Sequence, residues 1–164
     1  MIALYPTQEQ IQALLSGPQD RPVVMLNLLR FKDRATEPDE GLTGEEAYQC
    51  YADDMTRLVA SRGGRVIWSG RVDSQVIGDG AEGYHMAALV EYPSRKAFVE
   101  IAMSPEVAKI GVHRAAGLEG QWLLATTTRA GNEADEVGRG AASRGRAKPG
   151  ARARAISERE GPEE

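Results

Sequence analysis

The sequence predicts an α+β fold in which two βαβ halves share one four-stranded antiparallel sheet. Three observations carry that prediction. Val23–Phe31 is a nearly continuous apolar run. Two capped, amphipathic helical stretches flank an alternating strand pair. Beyond Thr128 the composition changes and core-forming side chains almost vanish.

In chain order, Thr7 and Gln10 have the spacing of a capping box, opening a short helix that Gly17-Pro18 ends. VVMLNLLRF (Val23–Phe31) has the length and β-branched start of a strand buried on both faces. Residues 33–44 form a polar loop. Thr43 caps a helix running to about Arg62, with Glu45 and Glu46 suited to its first turn and Gly63-Gly64 ending it. Tyr48, Tyr51, Ala52, Met55, Leu58 and Val59 form its apolar face. Arg65–Gly78 and Tyr84–Tyr92 read as an antiparallel strand pair joined by the DGAEG turn. Pro93 stops the second strand. Ser94 caps a helix from Arg95 to Met103, and Ser104-Pro105 restarts one that closes at Gly117. Gly120–Thr128 supplies the last strand. The order is that of a ferredoxin-like fold, βαββαβ, with both helices on one sheet face.

The other face is left uncovered, although its strands are apolar, and an apolar face of that size needs a partner. A second copy related by a two-fold axis is the simplest partner, pairing the sheets into a dimeric α+β barrel.

The 164 residues carry a net charge of −4, which argues against a nucleic-acid-binding core. Residues 129–164 hold eight Lys or Arg and seven Asp or Glu, with Val137 and Ile156 as the large apolar residues. This composition reads as a disordered, low-complexity tail. Its basic stretch, Arg139 to Arg154, has no interleaved aromatic residue to stack on bases, so it reads as a solvated extension. No apolar run reaches the length of a membrane span and no signal-peptide pattern opens the chain, so the expectation is cytoplasmic. The single cysteine, Cys50, excludes an internal disulfide.

VVMLNLLRFKD, GEEAYQCY, GGRVIWSG, VEYPSRKAFVEIAMSPEV and GVHRAAGL together resemble the DUF1330 family of the dimeric α+β barrel superfamily. The resemblance covers roughly residues 20–127 and implies the dimeric barrel. It implies no particular activity, since relatives across the superfamily range from cofactor-free monooxygenases to haem-dependent enzymes.

Several residues are candidates for chemistry. Asn27 is a polar amide in an apolar strand: it either makes a structural hydrogen bond or orients a ligand in the barrel cavity. His113 and Arg114 are either an acid–base group beside an anion anchor or a pair complementing the helix C-terminus. Trp68 and Trp122 read as core or pocket wall, and Tyr48 as core with its hydroxyl at a rim. Arg30 and Lys32 suit a solvated strand end or an anion site. His85, beside a turn, reads as exposed. There is no phosphate loop, no GxSxG elbow and no HExxH. The expectation is cofactor-free and metal-free proton transfer on a small carbonyl or acidic compound. His113 and Arg114 would act catalytically, and Asn27, Trp68, Tyr48 and Arg30 would hold the ligand. The alternative is a non-catalytic ligand-binding or structural dimer.

Overall fold

A run of apolar side chains at both strand parities makes Val23–Phe31 the sheet's central strand. In the computed structural model, which describes residues 3–129, that run is β1, with the same bounds. It follows α1 (Gln8–Leu15) and precedes α2 (Gly44–Ser61), β2 (Arg65–Arg71), β3 (Met86–Tyr92), α3 (Arg95–Ala102), α4 (Pro105–Gly117) and β4 (Leu118–Thr126). The helix starts are set by their caps. Thr7 and Gln10 form one reciprocal box and Thr43 and Glu46 another, while Ser94 and Ser104 accept from the third residue of α3 and α4. The tail expected at 129–164 lies, apart from Arg129, outside the described residues.

The sheet order is β2-β3-β1-β4 with every pair antiparallel, the arrangement of a ferredoxin-like fold. Three strands differ from expectation, β3 by starting at Met86 rather than Tyr84. β2 ends at Arg71 because residues 72–83 leave the sheet through a loop with Gly78, Gly80 and Gly83 at positive φ. β4 begins two residues early because a bulge at Arg30/Phe31 lets Leu118 pair with Phe31.

Residues directly opposite in an antiparallel pair share a face, so the register assigns every strand residue to one side. Val23, Met25, Asn27, Leu29 and Phe31 face the helices. Val23, Met25 and Leu29 are at most 2 % exposed, packed with Val59, Ile101 and Leu118. Full burial of such side chains is worth about 1.5–3 kcal/mol each, which fixes the helix layer against the sheet. Arg95 is also buried, donating to the Pro18 carbonyl and Thr127 Oγ1.

At one end of that layer the backbones of α2 and α4 approach closely. A Cβ on Gly117 would lie 2.3 Å from the Gly44 carbonyl oxygen, and one on Gly44 would lie 2.2 Å from that of Lys32. The Lys32 amide donates to the Gly117 carbonyl and the Gly44 amide to the Lys32 carbonyl, joining β1, α2 and α4.

The opposite sheet face carries two apolar rows across all four strands. One runs Trp68, Leu89, Leu26, Leu124, and the other Gly70, Ala87, Leu28, Trp122. Trp68 lies over Gly70 and is 52 % exposed, and Trp122 and Leu124 are also exposed. No described element covers this face. No helix among the described residues is long and apolar enough to cross a membrane.

Candidate functional site

Strand parity puts Asn27 under the helices, and helical periodicity turns Arg114 of α4 toward the same layer. Asn27 Oδ1 accepts from Gln121 Nε2 of β4 at 3.5 Å, and its own amide donates to the Met25 carbonyl at 3.2 Å. Arg114 Nη2 donates to Gln121 Oε1 in a short contact and to the Leu4 carbonyl at 2.6 Å. The Tyr5 ring lies 5.5 Å from that guanidinium. A polar chain, Asn27–Gln121–Arg114, therefore crosses an otherwise apolar layer. Ala88 lies directly opposite Asn27 on β3.

Tyr48 and Tyr51 of α2 enter the same layer, their rings 5.5 Å apart, with Tyr48 also against Phe31. Burial pushes both phenols above the usual tyrosine range, and the Arg114 guanidinium pulls both partly back. Burial likewise raises Tyr92, with the Tyr51 and Tyr48 phenols adding to the effect. All three hydroxyls are thus neutral donors across the physiological range. Among the described residues no fully buried side-chain oxygen or nitrogen lacks a hydrogen-bond partner. These three hydroxyls have no protein partner there, so none of them is fully sealed from solvent.

His113, one helical position before Arg114, points elsewhere. Its Nδ1 meets Asp39 Oδ2 at 2.8 Å and Oδ1 at 3.0 Å, and Asp39 is largely buried in the loop between β1 and α2. The same loop bonds α4 through the Thr36 amide and the Ala116 carbonyl, and Lys32 Nζ reaches the Ala115 carbonyl. The structure therefore brings Asn27, Tyr48 and Arg114 together and leaves His113 on another side of α4. Trp68 lies on the opposite sheet face, and Arg30 at that face's rim, paired with Glu119 at 2.8 Å.

Arg30, Phe31, Lys32, His85 and Glu119 line an open cleft of about 520 Å³. His85, expected to be exposed, is half-buried: it stacks on Phe31 at 5.6 Å and its Nδ1 accepts the Phe31 amide at 3.0 Å. That bond requires a bare Nδ1 and so places the ring proton on Nε2. The cleft's cations are already engaged, Arg30 by Glu119 and Lys32 by a carbonyl.

Sequence reading did not single out Gln121, Asp39 or Leu4. Gln121 had a usable signal, being a polar residue at an inward parity of β4. The Asp39–His113 pair spans 74 residues and left none.

Residues 40–128 match the family described as "Domain of unknown function (DUF1330)". Among solved structures, the RPA0582 protein of unknown function from Rhodopseudomonas palustris is 33% identical with a TM-score of 0.71, covering 79% of this chain and 98% of that one. The methylated form of RPA0582 is 32% identical with a TM-score of 0.71, covering 80% and 98%. A hydroxynitrile lyase from Passiflora edulis, 14% identical with a TM-score of 0.50, covers 68% and 96% and shares the fold alone. None of the curated proteins matches the chain.

Proposed function

The chain belongs to the DUF1330 family, and from that premise we propose that its helix–sheet interior is a binding site for a small acidic or carbonyl compound. Arg114 is the anchor, Asn27 and Gln121 orient the ligand, and the Tyr48, Tyr51 and Tyr92 hydroxyls donate to its oxygens. The observation that carries this reading is the convergence of one guanidinium, two amides and the unpartnered Tyr48 and Tyr51 hydroxyls in an otherwise apolar layer. Buried polar groups are costly unless bonded, so a cluster with spare donors suits a ligand better than a core. The assembly is a homodimer: a second copy covers the two apolar rows of the open face, closing the sheets into a barrel.

A catalytic reading is favoured by a different observation. Asp39 holds His113 by Nδ1, which leaves Nε2 to take or give a proton, the arrangement of an acid–base histidine. In that reading His113 is the base of a cofactor-free proton transfer. It does not touch the Arg114 cluster, so the binding reading leads.

Soaking crystals with a library of small acids, ketones and their neutral analogues tests the proposal. Density for a compound against Arg114 and Tyr48 is expected. Occupancy confined to the Arg30–His85 cleft or the open sheet face would refute it.

A further inference from the structure

Among the described residues, Arg114 is the one side chain of the interior cluster bound to the N-terminal segment. Its Nη2 donates to the Leu4 carbonyl, while the Gln121 amide on the edge of β4 donates to the Ala3 carbonyl at 3.0 Å. Leu4 packs against Leu29, Phe31 and Leu118, and Tyr5 lies over the guanidinium while 69 % exposed. We infer that residues 3–5 are an internal occupant of the anion seat, and that the natural ligand is a monocarboxylate that displaces the Leu4 carbonyl from Arg114. This rests on the interior-site reading and adds to it the ligand's charge class and its route of entry.

Three features point to this exchange. A guanidinium offers five N–H donors in a planar fork matched to a carboxylate. Here, among the described residues, both hydrogen bonds of Arg114 leave from Nη2 alone, so most of the fork is unused. A main-chain carbonyl supplies one neutral oxygen where a carboxylate would supply two charged ones, and charge-assisted bidentate bonds are the stronger kind. Apart from the Arg114 bond itself, the strap is held by little: one bond to a strand edge, one half-buried leucine and one ring contact, before α1 begins at Gln8. Segments with so few buried contacts open at low free energy. Finally, the neighbouring Tyr48 and Tyr51 hydroxyls are protonated donors, suited to the second carboxylate oxygen. With one cation in the cluster, the charge that balances it is that of a monoanion rather than a phosphate dianion.

Benzoate and its uncharged isostere benzamide discriminate these ideas when titrated by NMR into the full chain, the Tyr5→Ala variant and the Arg114→Lys variant. Benzoate binds and benzamide does not. The Gln121 main-chain amide exchanges faster in the benzoate complex, because the Ala3 carbonyl has left it. Tyr5→Ala tightens benzoate about two- to fivefold, the equivalent of an exposed cation–π contact no longer competing. Arg114→Lys abolishes binding by losing the fork. If benzoate binds through Arg114 while Tyr5→Ala changes nothing and Gln121 stays protected, strap and ligand coexist: the inference falls and the interior site stands. Equal binding of benzamide overturns the carboxylate class with the same consequence. No binding of either probe to any of the three proteins overturns the inference, and the site reading is then judged by the soaked-crystal screen.

Discussion

Gly117 and Gly111 lie on the same helix, and replacing each by alanine should move stability in opposite directions. At Gly117 the added Cβ would lie 2.3 Å from the Gly44 carbonyl oxygen, 2.7 Å from the Tyr48 amide nitrogen and 3.2 Å from Tyr48 Cβ. Two of these are backbone atoms that cannot rotate aside, so α2 and α4 must separate. Overpacking of this kind costs about 1–3 kcal/mol, and the two sub-3 Å backbone contacts place Gly117→Ala at about 3 kcal/mol. For a domain of this size that is a fall in Tm of roughly 10 °C. At Gly111 nothing lies within 4 Å of the added Cβ. There alanine should stabilise by about 0.5–1 kcal/mol through helix propensity alone. Urea denaturation of both variants beside the parent measures the pair. A Gly117→Ala protein as stable as the parent would refute the reasoning that the glycine contact sets the spacing of α2 and α4, and with it the placement of Tyr48.

Alkaline unfolding should report the interior tyrosines. Unfolded phenols lose their protons near pH 10, while Tyr48, Tyr51 and Tyr92 hold theirs in the folded state. Above that pH the folded chain therefore binds more protons and stability falls as pH rises. Tyr48→Phe should remove up to about 1.4 kcal/mol per pH unit of that slope between pH 10 and 12, and an unchanged slope would contradict the burial of Tyr48. Trp122→Glu, placing a charge in the second apolar row, should turn a dimer into a monomer by light scattering. A parent protein that is itself monomeric at micromolar concentration would sink the dimer. Removing residues 129–164 should leave the melting temperature nearly unchanged, whereas a drop of many degrees would mean that the tail docks.

Much of the fold was legible because local signals agreed with one another. The Val23–Phe31 run, the Thr7/Gln10 box, the Thr43 cap and Ser104-Pro105 each set an element boundary that the structure keeps. Strand ends were less legible. The end of β2 and the start of β4 depend on a glycine-rich loop and on a bulge, both consequences of pairing partners distant in sequence. Asn27 stood out as an amide in an apolar strand, and Arg114 as a cation beside a histidine near a helix end. Parity could have separated Asn27 from Arg30, since three residues apart on a strand means opposite faces. The bulge between Val66 and Trp68 hid which face Trp68 takes. The partners of His113 and Arg114, Asp39 and the Leu4 carbonyl, come from segments 74 and 110 residues away. No local pattern carries such pairs.

Ligand binding in the layer around Arg114 is open to a direct test. Once a compound from the soaked-crystal screen is in hand, it can be titrated into the parent and an Arg114→Ala variant while the side-chain amide signals of Asn27 and Gln121 are followed. Saturable shifts of both amides are expected in the parent and none in the variant at the same concentrations. Shifts that persist undiminished without Arg114, or that fall instead on Trp68 and Trp122 across the sheet, would contradict binding in that layer.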